Sequence, residues 1–297
     1  MSCFLSDGIR AVRQHLGLRS RSRIAALVHD LLLLTSHIRV AFLWDYSEVR
    51  TASKDDDFVT VAGGSVDVSQ VEALLSALGA AHANVRALGV VMVGPSLFVV
   101  HREMLLRKLQ IPVLEDTQLV GVDRNLGIPR FCTSSECSTI LDALEGASEI
   151  LRQWLAPVTH SASVMLELKD DAFLVCMHGW LLEYPIIYCF LEAVCVADAT
   201  AVSGSSSCLA GEPLRMFRLT ARPHNESKQQ RDGAPHMICS FTLPTRLLSD
   251  VADGHGGLTA VLSRWEVRMR QRVGDAAGCW FDAVLEVRDH TFDNIVL

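Results

Sequence analysis

The chain has 297 residues, and a hydrophobic share of 49% with a mean hydropathy of +0.26 is enough for a substantial buried core. This composition excludes disorder along the whole chain, because disordered chains have few apolar residues and much unbalanced charge. The formal net charge of −7 at pH 7 argues against a nucleic-acid partner, since such proteins need basic surface to replace phosphate counterions.

The nine cysteines are scattered and form no CxxC pair, which indicates reduced thiols and an intracellular, cytoplasmic protein. No continuous apolar segment typical of a secretory signal occurs near the N-terminus. Residues 1–29 carry five arginines and a single acid, so a mitochondrial targeting segment is the alternative to a first amphipathic helix.

Apolar residues recur with helical spacing in several segments, most clearly on one side of residues 138–155. Helices are predicted over residues 7–16, 23–36, 67–79, 102–109, 138–155 and 258–273. Strands are predicted over residues 39–46, 86–93, 96–100, 118–122, 214–221, 237–243 and 281–288. The strands over 214–221 and 237–243 are expected to form an antiparallel pair.

This order of elements predicts an α/β or α+β fold, a single domain over residues 1–297 with a mixed central sheet and helices on both faces. Two polar stretches, residues 51–64 and 222–235, are predicted to be loop insertions in that domain. The first contains three consecutive aspartates, and the second is mostly polar.

The densest apolar run covers residues 171–197, and two glutamates and a proline interrupt it. A bilayer span needs about 20 uninterrupted apolar residues, so the run does not predict a transmembrane segment. It predicts a buried helix over residues 172–182 and a buried strand over residues 185–190, because Ile, Tyr and Phe suit a pleated surface.

The chain lacks the GxGxxG, GxxxxGK[ST], HExxH and GxSxG motifs, and its eleven histidines lack metal-ligand spacing to a cysteine pair. We therefore expect no cofactor and no metal site. One candidate ligand site lies at the end of the first strand, where Asp45 and Tyr46 occupy a position that α/β sheets use for ligand-facing residues. The alternative is a solvated acid at a strand end.

Glu183 and Tyr184 form a second candidate site, because they adjoin the most apolar part of the chain. Pro185 disfavours helical geometry at Tyr184, so the helix is expected to end near Glu183. A carboxylate there opposes the helix dipole, and it must reach an arginine or histidine or point to solvent. The alternatives are a ligand-binding role and a core-anchoring role, and in the second case Glu183→Gly is expected to be tolerated.

Four segments carry a resemblance to a known family: HGWLLEYPIIYCF (178–190), CLAGEPLRMFRL (208–219), MICSFTLPTRLL (237–248) and LWDYS (43–47). They resemble successive segments of the uncharacterised metazoan family of human chromosome 1 open reading frame 74, over about residues 10–250. Glu183 stands where that family is expected to have glycine, and the linker over 222–235 is expected to be longer here. The resemblance implies a fold and no catalytic residues.

Taken together, these patterns favour a non-enzymatic interaction or scaffold protein with an unknown protein partner. The alternative is an enzyme or pseudoenzyme with a small-molecule pocket at the sheet edge near Asp45 and Tyr46. No motif in the chain identifies the ligand or partner of either kind.

Overall fold

The core is built around two adjacent strands, residues 88–93 and 96–101, because nearly all of their side chains are buried, on both faces. The computed structural model describes residues 2–46, 49–50, 66–123, 126–157, 161–168, 172–191, 208–224, 234–249 and 257–291. The helices are α1 (Ser2–Leu16), α2 (Arg21–Thr35), α3 (Val68–Ala81), α4 (Arg102–Lys108), α5 (Ser134–Leu155), α6 (Ala172–Leu181), α7 (Arg246–Ser249) and α8 (Gly257–Asp275). The strands are β1 (Ala41–Leu43), β2 (Val49–Arg50), β3 (Val66–Asp67), β4 (Leu88–Val93), β5 (Ser96–His101), β6 (Gln118–Gly121), β7 (Arg130–Phe131), β8 (Ser163–Leu166), β9 (Ile186–Cys189), β10 (Pro213–Pro223), β11 (His236–Pro244) and β12 (Trp280–Thr291).

The first sheet has the order β1-β5-β4-β8 and is mixed. Strands β4 and β5 form an antiparallel hairpin around Gly94, whose positive φ of 53° suits the tight turn before Pro95. Strand β8 pairs with β4 in parallel. Along β4, Val90 and Met92 face one hydrophobic cluster, whereas Val91 and Val93 face another. The sheet is therefore covered on both sides.

Two further sheets divide the remaining long strands. One has the order β7-β6-β9, with β6 and β9 in parallel and β6 and β7 antiparallel. The other is the antiparallel sheet β11-β10-β12, which contains the predicted pair of strands. Mixed sheets with helices confirm the predicted α/β class. The strands do not join in one central sheet, because β10, β11 and β12 pair only with one another among the described strands.

The prediction for the most apolar run is confirmed to within a few residues. It forms α6, a four-residue connection and then β9, whose parallel partner is β6. None of the helices in the described ranges is both long and apolar enough to cross a membrane.

The loop insertions have two different outcomes. Residues 51–64 lie outside the described residues. Of the second stretch, Arg222 and Pro223 belong to β10, which is a correction, because they continue its antiparallel pairing with β12. Residues 225–233 lie outside the described ranges, and the extent of the domain stays a prediction.

Candidate functional site

The junction between α6 and β9 places Glu183 in the left-handed region, with φ of 59°. The amide of Tyr184 donates to the carbonyl of Gly179 at 3.0 Å, and the amide of Glu183 donates to the carbonyl of Trp180 at 3.1 Å. This pair of bonds is a Schellman motif with Glu183 at the position that usually holds glycine. The motif ends the helix and turns the Glu183 side chain into the protein.

Arg272, in the last turn of α8, binds the Glu183 carboxylate through two contacts. Its Nη1 lies 2.7 Å from Oε2 and its Nη2 lies 3.0 Å from Oε1. The amide of Val40 also donates to Oε2, at 3.3 Å, and Arg272 Nη1 donates to the carbonyl of Ile38. Glu183 is buried. Of the two arrangements expected for this carboxylate, a cationic partner or exposure to solvent, the structure shows the first.

The charge state of Glu183 follows from these contacts. Burial by itself raises the pKa of the carboxyl group, but the charge and hydrogen bonds of Arg272, with the charge of Lys108, lower the pKa to about 2. Glu183 is therefore ionised at neutral pH, and its charge is neutralised by a guanidinium in contact with it.

Glu183 and Arg272 lie on the wall of a cavity of about 330 Å³, which we call the cationic cavity. Segments from the ends of α2, α4, α6 and α8 and from the turn after α4 converge on it. Its lining consists of Ser36, His37, Met104, Arg107, Lys108, Ile111, Pro112, Val113, Asp116, Thr117, Trp180, Glu183, Arg268, Arg272 and Asp275. Four cationic side chains face three carboxylates in this lining, which leaves one positive charge in excess.

Lys108 is the cation of this cavity that has no acidic partner. It makes no ion pair or hydrogen bond with any described residue, and its Nζ lies 5.4 Å from the centroid of the Trp180 ring. The pKa of Lys108 is lowered to about 8, mainly by burial. The positive charges of Arg268 and Arg272 also lower this pKa, whereas the negative charge of Glu183 raises it. The ammonium is therefore still mostly protonated at pH 7, but its charge is only partly compensated.

Arg268 leaves a second donor without a partner. Its Nη1 binds the carboxylate of Asp116. Arg264 forms a second ion pair with this carboxylate, with 3.6 Å between Arg264 Nε and Asp116 Oδ1. The Nε of Arg268 is buried and has no hydrogen-bond partner among the described residues. Arg268 therefore adds positive charge to the lining, but its Nε is enclosed by protein, and Lys108 supplies the unpaired donor that faces the cavity.

The other predicted site residues lie elsewhere. Tyr184 packs its ring against Phe241, with centroids 6.1 Å apart, and burial raises the pKa of its hydroxyl. Asp45 is exposed, and Tyr46 is buried. The structure therefore brings Glu183 to the cationic cavity, and Asp45, Tyr46 and Tyr184 are not part of the lining.

Tyr46 belongs to a separate cluster centred on Asp30. Its hydroxyl donates to Asp30 Oδ2, and His236 Nε2 lies 3.0 Å from Asp30 Oδ1. His236 lines a second cavity, of about 340 Å³, together with His29 and His224. Burial and the nearby His236 lower the pKa of His29 to about 4, so it is neutral at pH 7. Among the described residues, no group of three His, Cys, Asp or Glu side chains is placed to hold a metal ion.

The sequence analysis missed Lys108, Arg268 and Arg272. One signal was available, because Arg264, Arg268 and Arg272 recur every four residues along α8 and therefore share one helix face. Lysine is also rare in this chain, which has four. However, no local pattern at Lys108 indicates that it meets Glu183 and Arg272, which lie 75 and 164 residues further along the chain.

Comparison with known proteins gives one match. A family model described as "Domain of unknown function (DUF4504)" matches residues 11–297, and this description indicates no catalytic function. No curated protein and no solved structure matches the chain. Because the match covers nearly the whole sequence, the chain belongs to this family of unknown function, DUF4504.

Proposed function

We propose that the protein binds a small ligand through an oxyanion, either carboxylate or phosphate, in the cationic cavity. One observation carries this proposal: the Nζ of Lys108 lies beside the cavity and makes no ion pair or hydrogen bond with any described residue. A partly buried cation without a partner is costly, and the oxygens of an anion would satisfy it with charge-assisted hydrogen bonds.

The neighbouring residues have complementary roles in this proposal. Arg272 is held by Glu183, so it contributes a wall and a positive potential rather than a free donor. Trp180 offers an aromatic surface to the part of the ligand next to the anion. Asp275 is exposed at the end of α8, where solvent weakens its repulsion of an anion.

The proposal is tested by calorimetric titration of the protein with phosphate, sulfate and citrate. We expect binding in wild type and a loss of roughly tenfold or more in affinity for Lys108→Met, which keeps the length of the side chain but removes its charge. Arg10→Met is the matched control, since it removes one exposed positive charge on α1, outside the lining. Equal affinities of the two variants would refute the proposal.

We also propose an interaction role, which is favoured by the long edge strand β12. Its inner edge pairs with β10, and no strand within the described ranges pairs with its outer edge. Phe281, Val284 and Val287 on this strand are exposed. The occupant that we infer is a second copy of the chain, because antiparallel pairing centred on Val287 would place Glu286 opposite Arg288 twice.

Sedimentation velocity tests this second role. A dimer is expected for wild type, and Val287→Lys should reduce it by placing two like charges opposite each other. Met165→Lys is the control, because Met165 is also an exposed apolar residue and lies on β8, at the edge of another sheet. A monomeric wild type, or equal loss in both variants, would exclude the pairing.

The enzyme or pseudoenzyme alternative near Asp45 and Tyr46 is supported through Asp30. Tyr46 and His236 both bind Asp30, and this pairing orients the His236 ring beside the second cavity. A carboxylate-oriented histidine is suited to proton transfer. The catalytic role of this cluster is a proposal, and screening hydrolase substrates against wild type and a His236→Gln variant tests it.

Two further proposals concern kinship and location. The relation to the family of human chromosome 1 open reading frame 74 is supported by the quoted segments, which form the α6–β9 junction, β10 and β11.

A cytoplasmic location is supported by the eight cysteines of the described ranges, all of which are free thiols. Fractionation of cells that express the full chain distinguishes the cytoplasm from mitochondria.

A further inference from the structure

An exposed apolar segment borders the cationic cavity. Residues 111–114 have the sequence Ile-Pro-Val-Leu, and we call them the apolar rim. Ile111 is 46% exposed and Leu114 is 42% exposed, and the first three residues of the rim line the cavity. A run of consecutive apolar residues at the surface is unfavourable in water unless it has a partner.

Cationic side chains flank the apolar rim. Arg107, just before it in the chain, is 67% exposed at its side chain. Arg264 donates through Nη2 to the carbonyl of Glu115, so its guanidinium lies at the other end of the rim. Lys108 and Arg268 lie in the cavity behind. An apolar segment with positive charge around it is the pattern of a surface that meets an anionic membrane.

We propose that the ligand of the cationic cavity is the phosphomonoester headgroup of a membrane lipid, with the apolar rim inserted into the bilayer beside it. This inference rests on the proposed anion-binding function. A soluble anion would leave the rim in water, whereas a lipid occupies both features at once. The cavity of about 330 Å³ has room for a headgroup, because a water molecule takes only about 30 Å³ of liquid volume.

The charges of the molecule favour a specific headgroup over general attraction to acidic membranes. The net charge of −7 opposes non-specific binding to a negative surface. Exposed Glu103 beside Arg107, and Asp275 at the end of α8, add local repulsion. The favourable contact is that of Lys108, to which a phosphomonoester presents oxygens with up to two negative charges, and the guanidinium of Arg268 adds positive charge beside it.

Flotation of the full chain with lipid vesicles tests the proposal. We expect binding to phosphatidylcholine vesicles that contain phosphatidic acid, and none to vesicles of phosphatidylcholine alone. Leu114→Ser, outside the cavity lining, should lose vesicle affinity several-fold, because the leucine side chain leaves water on binding. The same variant should bind free inorganic phosphate as wild type does, whereas Lys108→Met should lose both interactions.

Ile128→Ser is the matched control, because Ile128 is 50% exposed and does not line the cavity. The smaller change Leu114→Ala serves if Leu114→Ser unfolds at a lower temperature than wild type. Phosphate binding without vesicle binding would overturn the lipid proposal and leave the anion-binding function standing. Absence of both would overturn the proposed function itself. Equal flotation with and without phosphatidic acid, or equal loss in Ile128→Ser, would also overturn the lipid proposal.

Discussion

Arg272 of α8 neutralises Glu183 at the C-terminal end of α6, although the two residues are 89 positions apart in the chain. The carboxylate stands where the helix dipole is negative and where a residue with a side chain pays a conformational cost, since its φ is 59°. Both effects are unfavourable, so the two-fold contact with the guanidinium must supply the stabilisation. The pair also forms one wall of the cationic cavity.

Glu183→Gly is expected to destabilise the protein by about 2–4 kcal/mol, which differs from the tolerance that the sequence alone suggested. Glycine relieves about 1 kcal/mol of left-handed strain, but the change leaves the half-buried Arg272 without its partner, at a cost of about 3–5 kcal/mol. Glu183→Ala should be about 1 kcal/mol worse than Glu183→Gly, because it keeps the strain. Urea unfolding of both variants measures this, and a glycine variant as stable as wild type would contradict it.

The pair itself is measured by a double-mutant cycle of Glu183→Gln and Arg272→Met. Each single variant is expected to lose about 3 kcal/mol, because it leaves one charge buried without compensation. The double variant should lose less than the sum of the two by at least about 1 kcal/mol. Glu145→Gln with Arg152→Met gives the control cycle on α5, where the glutamate is exposed and the coupling should be under about 1 kcal/mol. Additive losses in the first cycle would show that the contact is not energetically coupled.

Stability should fall in acid over a range that Glu183 defines. Its pKa is lowered from 4.5 to about 2, so its contribution is fully present above pH 4.5 and is lost as the pH falls towards 2. Glu136 adds to the same range, because hydrogen bonds from Arg130 lower its pKa to about 2 as well. The loss of unfolding free energy between pH 7 and pH 3 should be smaller in Glu183→Gln than in wild type. The two losses should differ by at most about 2 kcal/mol. An identical pH dependence in both proteins would exclude this role.

The helix-to-strand junction was accessible from sequence because its cause is local: Pro185 excludes helical geometry in the preceding residue. The start of α5 was predicted four residues late, although a local signal existed. Thr133 and Glu136 form a capping box that precedes the first apolar residue of the helix face. Apolar periodicity alone therefore predicts the start of α5 too late in the chain.

The remaining differences have non-local causes. Strands β6 and β9 pair in parallel across an interval of about 70 residues, and no local pattern specifies this partner. The cationic cavity likewise combines Lys108, Glu183 and Arg272 from three distant segments. Its chemistry arises from tertiary packing, so sequence analysis could identify Glu183 as unusual but could not identify what surrounds it.

Anion binding is expected to weaken above pH 8, because the pKa of Lys108 is lowered to about 8 and its charge is lost as the pH rises through that value. Sulfate is the appropriate probe, since its own charge is constant in this range. Affinity for sulfate should fall several-fold between pH 7 and pH 9 in wild type, and bound sulfate should itself raise the pKa of Lys108 by linkage. In Lys108→Arg the charge persists, so the affinity should stay constant. A parallel decline in both proteins would assign the effect to another group.

Tyr46 is expected to stabilise the fold without contributing to anion binding in the cationic cavity. Its buried hydroxyl donates to Asp30, which also binds His236, so Tyr46→Phe removes one charge-assisted hydrogen bond while keeping the ring. We expect a loss of about 1.5–3 kcal/mol in unfolding free energy, with no change in the affinity for phosphate. Exposed Asp45 gives the control: Asp45→Asn should change stability by no more than about 0.5 kcal/mol. If Tyr46→Phe left stability intact but impaired phosphate binding, the anion site would have to include the Asp30 cluster, and its placement around Lys108 would be wrong.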